Sequence, residues 1–98
     1  MDVIALTIAD QRVTLARTPS IILASVAERI HKYGADSPIA HEVICGAIAA
    51  GISRVDPGSK ANAAWLRANL DSSNCAGIFS VFARFNSFAP LLTDDESA

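Results

Sequence analysis

The sequence predicts a single small α+β domain, in which an N-terminal β-hairpin precedes four α-helices packed around the second helix. Three observations predict this class. Apolar residues alternate within the first 17 positions, whereas they recur at helical spacing beyond residue 18. The segment 38–55 is apolar on almost every side, and a helix of that kind is buried all round. We therefore expect one domain over residues 1–93, built about this central helix.

The composition predicts a thin hydrophobic core. The chain has 98 residues, and 51% of them are hydrophobic. Eighteen of these are alanines, which favour helices and close helix contacts but bury little surface. Burial against a second copy or a partner protein would add to such a core, so a homodimer is one expected state.

Residues 3–8 and 13–17 alternate between apolar and polar faces, which predicts two strands joined by a short polar loop over residues 9–12. A lone hairpin is only marginally stable in water, so it has to pack on helices. Its outer edges can accept a strand from a second copy or from a partner.

Two dipeptides, Thr18-Pro19 and Ser37-Pro38, each combine a capping residue with proline at a first helical position. They predict the starts of the first two helices. The first helix is amphipathic, about 15 residues long, and ends at Gly34. The second helix spans 38–55, and its uncharged run 43–52 is too short to cross a bilayer, which takes roughly 20 residues.

Two further helices follow the turn Asp56-Pro57-Gly58, which ends the central helix. Ser59 is expected to cap a third helix over residues 60–70. The fourth helix is expected over about residues 74–87.

Charge and cysteine usage predict a cytoplasmic protein without a membrane segment. The net charge of −2 argues against general nucleic-acid binding, and three of the ten acids lie in an expected disordered tail at 94–98. No basic region precedes an apolar run at the start, so no signal peptide is expected. Cys45 and Cys75 make no disulfide framework, and both are expected to be reduced.

The residue pattern predicts neither an enzyme nor a metal or cofactor site. Carboxylates are scattered at loops and helix ends, and no glycine pattern cradles a phosphate. His41 and Cys45 share a helical face at a metal-binding spacing, but His31 and Cys75 complete no zinc signature. Cys75 is better placed for a reactive thiolate than Cys45, because the helix dipole favours an anion near a helix start.

The third helix carries the best candidate recognition surface, because Asn62, Trp65 and Asn69 lie along one line. Aromatic residues are enriched at binding hot spots. The competing interpretation is that Trp65 anchors the core of a domain that is poor in aromatic residues.

The phenylalanines of the fourth helix divide between core and surface. Phe82 and Phe85 are expected in the core, whereas Phe79 and Phe88 are expected to point elsewhere. Exposed aromatic patches on soluble proteins mark partner sites, so these two are candidate interface residues.

The leading hypothesis for function is a small non-enzymatic protein-binding module, a stoichiometric inhibitor or adaptor on a larger protein partner. A thin alanine core, unpaired hairpin edges, spare aromatic residues and absent catalytic groups favour it, and small inhibitors, including those made by phages and mobile elements, resemble the chain in this general way. The expected partner-binding residues are Asn62, Trp65, Asn69, Phe79 and Phe88.

The alternative hypothesis is a DNA-binding regulator in which the second and third helices form a helix-turn-helix. Lys60, Asn62 and Arg67 would then enter a groove of the duplex, joined by Asn69. The small number of basic residues and the apolar character of the second helix argue against this hypothesis.

Overall fold

A computed structural model of the chain describes residues 2–87. The predicted α+β class is confirmed, with an antiparallel hairpin followed by four helices. The predicted domain limit at residue 93, the tail at 94–98 and Phe88 lie outside the described residues. The elements are β1 (Val3–Ile8), β2 (Gln11–Ala16), α1 (Ser20–Tyr33), α2 (Pro38–Val55), α3 (Ala63–Asn69) and α4 (Cys75–Phe85).

The hairpin turns on only two residues. Ala9 and Asp10 both have positive φ values, 51° and 63°, which is the mark of the type I′ turn that suits the twist of paired strands. The strands pair without a bulge as far as Ile8 and Gln11. The second strand therefore begins two residues earlier than the alternation predicts.

Helix α2 lies at the centre of the fold, as predicted, and packs against β2, α1 and α3. By length and composition alone it is able to cross a membrane, with 18 residues and a mean hydropathy of 1.2. Seven of its residues are buried, however, among them Ile44, Ile48 and Ile52. The chain is a compact globule with a Cα radius of gyration of 12.6 Å, close to the roughly 13 Å of a 100-residue domain.

A buried polar link at Thr18 joins three parts of the fold. The hydroxyl of Thr18 donates to Ala47 O at 2.7 Å, and its backbone N–H donates to Asn86 Oδ1 at 2.8 Å. The Asn86 amide in turn donates to Phe82 O at 3.0 Å. Because its hydroxyl is used by α2, Thr18 does not cap α1, and the prediction of that cap is wrong; the N-cap is Pro19.

Helix α3 is shorter than predicted, because it begins at Ala63 rather than at residue 60. The side chain of Asn62 accepts a hydrogen bond from Trp65 N at 3.0 Å and thereby caps the helix. Ser59, the predicted cap, instead accepts from Ala61 N at 3.1 Å within the preceding loop.

Candidate functional site

The three residues predicted to form a recognition line on α3 have different local roles. Asn62 is the N-cap, and the amide of Asn69 donates to Trp65 O at 2.8 Å. Trp65 is half-buried and packs against the core. Both amides therefore stabilise the backbone of α3, and Trp65 combines a core contact with an exposed part.

The buried face of α4 differs from the predicted one. Phe79 is only 4% exposed and its ring stacks on Phe82, with centroids 6.0 Å apart, so the prediction that it points away from the core is wrong. Phe85, predicted in the core, is half-buried, and the Arg17 guanidinium lies 5.4 Å from its ring centroid. The buried stripe runs through Phe79, Phe82 and Ala83.

The connection between α2 and α3 is longer than that of a typical helix-turn-helix. The connection between α2 and α3 occupies residues 56–62, whereas such a turn takes about 3–4 residues. Of the four predicted DNA contacts, Lys60 and Asn62 precede α3, whereas Arg67 and Asn69 lie on the helix. A cavity of about 620 Å³ beside Trp65 is lined by Lys60 but also by Asp56, so its charge is mixed.

A second cavity of similar volume lies elsewhere on the described chain, and we call it the α2–α4 groove. It has a volume of about 620 Å³ and lies where the first turns of α2 and α4 meet the connection between α3 and α4. Its lining residues are Ala35, Asp36, Ser37, Pro38, His41, Ile44, Leu70, Asp71, Ser72, Cys75, Ala76 and Phe79.

The groove has an apolar floor and a more polar rim. Ile44, Leu70 and Phe79 are buried beneath it. Asp36 and Asp71 are exposed on the rim, and the lining residues within 2–87 include no lysine or arginine. The arrangement is suited to an apolar group that enters the floor while a positive charge stays at the rim.

Hydrogen bonds fix the α3–α4 side of the groove. The Nε2 atom of His41 donates to Leu70 O at 2.7 Å, which ties α2 to the end of α3. The Asp71 carboxylate accepts from both the backbone N–H and the hydroxyl of Ser73. The amide of Asn74 donates to Asn69 O at 3.0 Å. The rim is therefore held in place before any ligand arrives.

The charge at Asp71 is stabilised by the same hydrogen bonds. Donation from the side chain and the backbone of Ser73 lowers the pKa of the Asp71 carboxyl below its ordinary value of 3.8. The rim therefore keeps this negative charge through the physiological pH range.

His41 does not activate the neighbouring thiol of Cys45. The sulfur lies 3.9 Å from Nε2, the same nitrogen that bonds Leu70 O. Because a carbonyl oxygen only accepts, Nε2 carries a proton and has no lone pair to take one from the thiol. Burial, followed by the nearby Cys75, raises the pKa of Cys45 from 9.0 to about 11. The geometry opposes a cysteine–histidine nucleophile pair here.

Cys75 lines the groove but is not poised as a thiolate. Burial raises its pKa, and the negative charge of Asp71 raises it further. Both effects oppose the stabilisation of its anion that is expected near the start of a helix. Within residues 2–87, no group of three or more His, Cys, Asp or Glu side chains is placed to hold a metal.

The raised pKa of Cys45 predicts a loss of stability at alkaline pH. The folded state favours the neutral thiol, so this stability is present below pH 9 and falls as pH rises towards 11. We expect a loss of about 2 kcal/mol across this window. Chemical denaturation on either side of it measures the change.

Cys45→Ala is the control for this pH dependence. It should be less stable at neutral pH but should lack this component of the alkaline decline. An equally steep decline in the variant would contradict the assignment to Cys45.

The groove is absent from the sequence-based predictions, although Phe79 and His41 feature in them for other reasons. The local sequence signal of the groove is the dipeptide Asp-Ser, which occurs at residues 36–37 before α2 and at 71–72 in the turn that precedes α4. No family model, curated protein or solved structure matches the chain. The function of the groove is therefore inferred from its own chemistry.

Proposed function

We propose that the chain is a small non-enzymatic protein-binding module, a stoichiometric inhibitor or adaptor of a larger cytoplasmic protein, and that the α2–α4 groove receives that partner. The observation that carries the proposal is the groove itself, about 620 Å³ of open space above an apolar floor. Buried anchor side chains that fill such pockets supply most of the affinity of protein interfaces.

The floor and the rim define the chemistry of the partner segment. The exposed Pro38 and Ala76, above the buried floor, offer an apolar surface to a leucine, methionine or aromatic side chain. Asp36 and Asp71 at the rim favour a lysine or arginine close to that anchor. The partner is thus expected to present an apolar residue flanked by a basic one.

Two exposed apolar side chains lie on either side of the α1–α2 connection in the chain. Tyr33 and Ile39 are 44% and 40% exposed, and they flank the groove-lining residues 35–38 in the chain. Exposed apolar groups next to a pocket favour a protein partner over a small molecule, because a protein covers both together.

The rigidity of the groove supports tight binding. His41 holds the end of α3, and Ser73 holds the Asp71 carboxylate, so little ordering remains for the partner to impose. A prearranged site lowers the entropic cost of association. The two free cysteines are consistent with the reducing cytoplasm.

A groove-filling substitution tests the proposal. Ala76 is exposed at the rim on α4, and tyrosine there should occupy the groove and weaken partner binding at least tenfold. The matched control is Ala64→Tyr, the same change at an exposed position on α3 that does not line the groove. Circular dichroism should show both variants folded.

Binding is measured by capture from nuclease-treated lysate of the source cell, followed by titration of the recovered protein. We expect one protein near equimolar with the parent chain and with Ala64→Tyr, and its loss with Ala76→Tyr. Equal capture by all three would contradict the groove as the binding site. If the partner is lost only with a folded Trp65→Ala variant, the partner binds on α3 instead.

A further inference from the structure

The outer edge of β1 carries unused backbone hydrogen-bonding groups. Ile8 and Gln11 flank the two-residue turn and form its closing hydrogen-bonded pair. Bonded and non-bonded pairs alternate along an antiparallel ladder, so Val3, Ala5 and Thr7 point their N–H and C=O groups away from β2. Among residues 2–87, no other strand pairs with this edge.

The opposite edge of the hairpin is partly covered. At its end, Ala16 O lies so close to Gly51 on α2 that an added Cβ would come within 2.6 Å of it. The following carbonyl, that of Arg17, accepts from the Arg54 guanidinium at 2.6 Å. Among the described residues, the end of the β2 edge is therefore engaged, whereas the outward groups of β1 pair with no strand.

The sequence of β1 has none of the features that keep an exposed edge unpaired. Natural edge strands carry lysine, proline or a bulge that blocks a second strand. Residues 3–8 read VIALTI, without charge or proline, and they pair with β2 without a bulge. This strand is open to pairing with a partner strand.

The order of side chains in β1 is complementary to itself. An antiparallel pair centred on Ala5 places Ile4 opposite Leu6 of the second copy, on the face that carries the core. It places Val3 opposite Thr7 of the second copy on the outer face, where both are β-branched. Such cross-strand pairs stabilise a sheet, and no like charges meet.

We propose that two copies of this chain associate through β1, antiparallel about Ala5, to form a continuous four-stranded sheet. A second copy is the expected partner of this edge. A two-fold axis at Ala5 lets the outward backbone groups of both copies bond to each other and also brings the complementary side chains into register. The contact is small, so the dimer is expected to dissociate on dilution. No residue of β1 lines the α2–α4 groove, which makes this inference independent of the proposed function.

Charge at Ala5 provides the test. Ala5→Lys places two lysines opposite each other across the two-fold axis and should raise the dissociation constant at least tenfold. The matched control is Thr14→Lys, which lies directly across from Ala5 on β2 and so carries the same charge one strand away from the new contact. Sedimentation equilibrium from micromolar to millimolar concentration measures the mass.

The parent chain and Thr14→Lys should approach twice the mass of 10.3 kDa with rising concentration, whereas Ala5→Lys should stay monomeric. Ala5→Glu should also be monomeric, but an equimolar mixture of the Lys and Glu variants should regain the dimer mass. That rescue excludes misfolding as the cause. A parent chain that is monomeric throughout, or a mixture that fails to associate, would overturn the proposal.

Amide hydrogen exchange provides a second measurement at single residues. The Ala5 amide, directed outward, should exchange more slowly as concentration rises. The Leu6 amide, already bonded to Val13, should change much less. Protection of Ala5 that does not depend on concentration would also contradict the pairing of two copies.

Discussion

Replacing Phe82 with alanine is expected to lower the free energy of unfolding by about 3–5 kcal/mol. The ring is fully buried in α4 and stacks on Phe79 at 6.0 Å between centroids. Small domains are stable by only about 5–15 kcal/mol, and this core is rich in alanine. The variant should therefore be close to the limit of folding at room temperature.

Phe85→Ala is the matched control, because it is the same change three residues later on the same helix. Phe85 is half-buried and contacts the Arg17 guanidinium, so the expected loss is only about 1–2 kcal/mol. Urea denaturation followed by circular dichroism compares the two variants. Equal losses would show that α4 buries a different face.

Helix α2 could be predicted from the sequence because its signals are local. Ser37 accepts from Ala40 N at 3.0 Å, as a capping residue should, and Asp56 follows the last helical residue, Val55. Both ends are set by residues adjacent in the chain. The apolar circumference between them was enough to predict its central position.

The start of α3 and the buried face of α4 could not be predicted in the same way. Ser59 and Asn62 are both good caps, and sequence preference does not choose between them. Phe79 and Phe85 flank Phe82 at equal spacing, so periodicity alone does not say which flank is buried. Contacts between distant elements decide both questions.

The groove is harder still to predict from the sequence, because it joins segments that are distant in the chain. Pro38 and Ala76 lie at the starts of different helices, and neither local sequence indicates that the two meet. Their meeting depends on the hydrogen bond from His41 to Leu70 O and on the packing of Phe79. Neither contact has a sequence signature.

Because α2 approaches β2 closely, Gly51→Ala is expected to lower the free energy of unfolding by about 3 kcal/mol. A Cβ at Gly51 would lie 2.6 Å from Ala16 O and 3.2 Å from the Thr18 hydroxyl oxygen. The first contact is with backbone, which cannot rotate aside as a flexible side chain does. Overpacking of this kind costs roughly 1–3 kcal/mol, and more where backbone must move.

Gly46→Ala makes the same change five residues earlier on the same helix and should have the opposite sign. Its Cβ would meet nothing within 4 Å, and alanine is favoured over glycine inside a helix by about 0.5–1 kcal/mol. Thermal and chemical denaturation of both variants measures the contrast. If Gly51→Ala leaves the free energy of unfolding unchanged, α2 lies farther from β2 than described. The hydroxyl bond from Thr18 to Ala47 O would then lengthen as well, and the position of α2 beneath the groove would change with it.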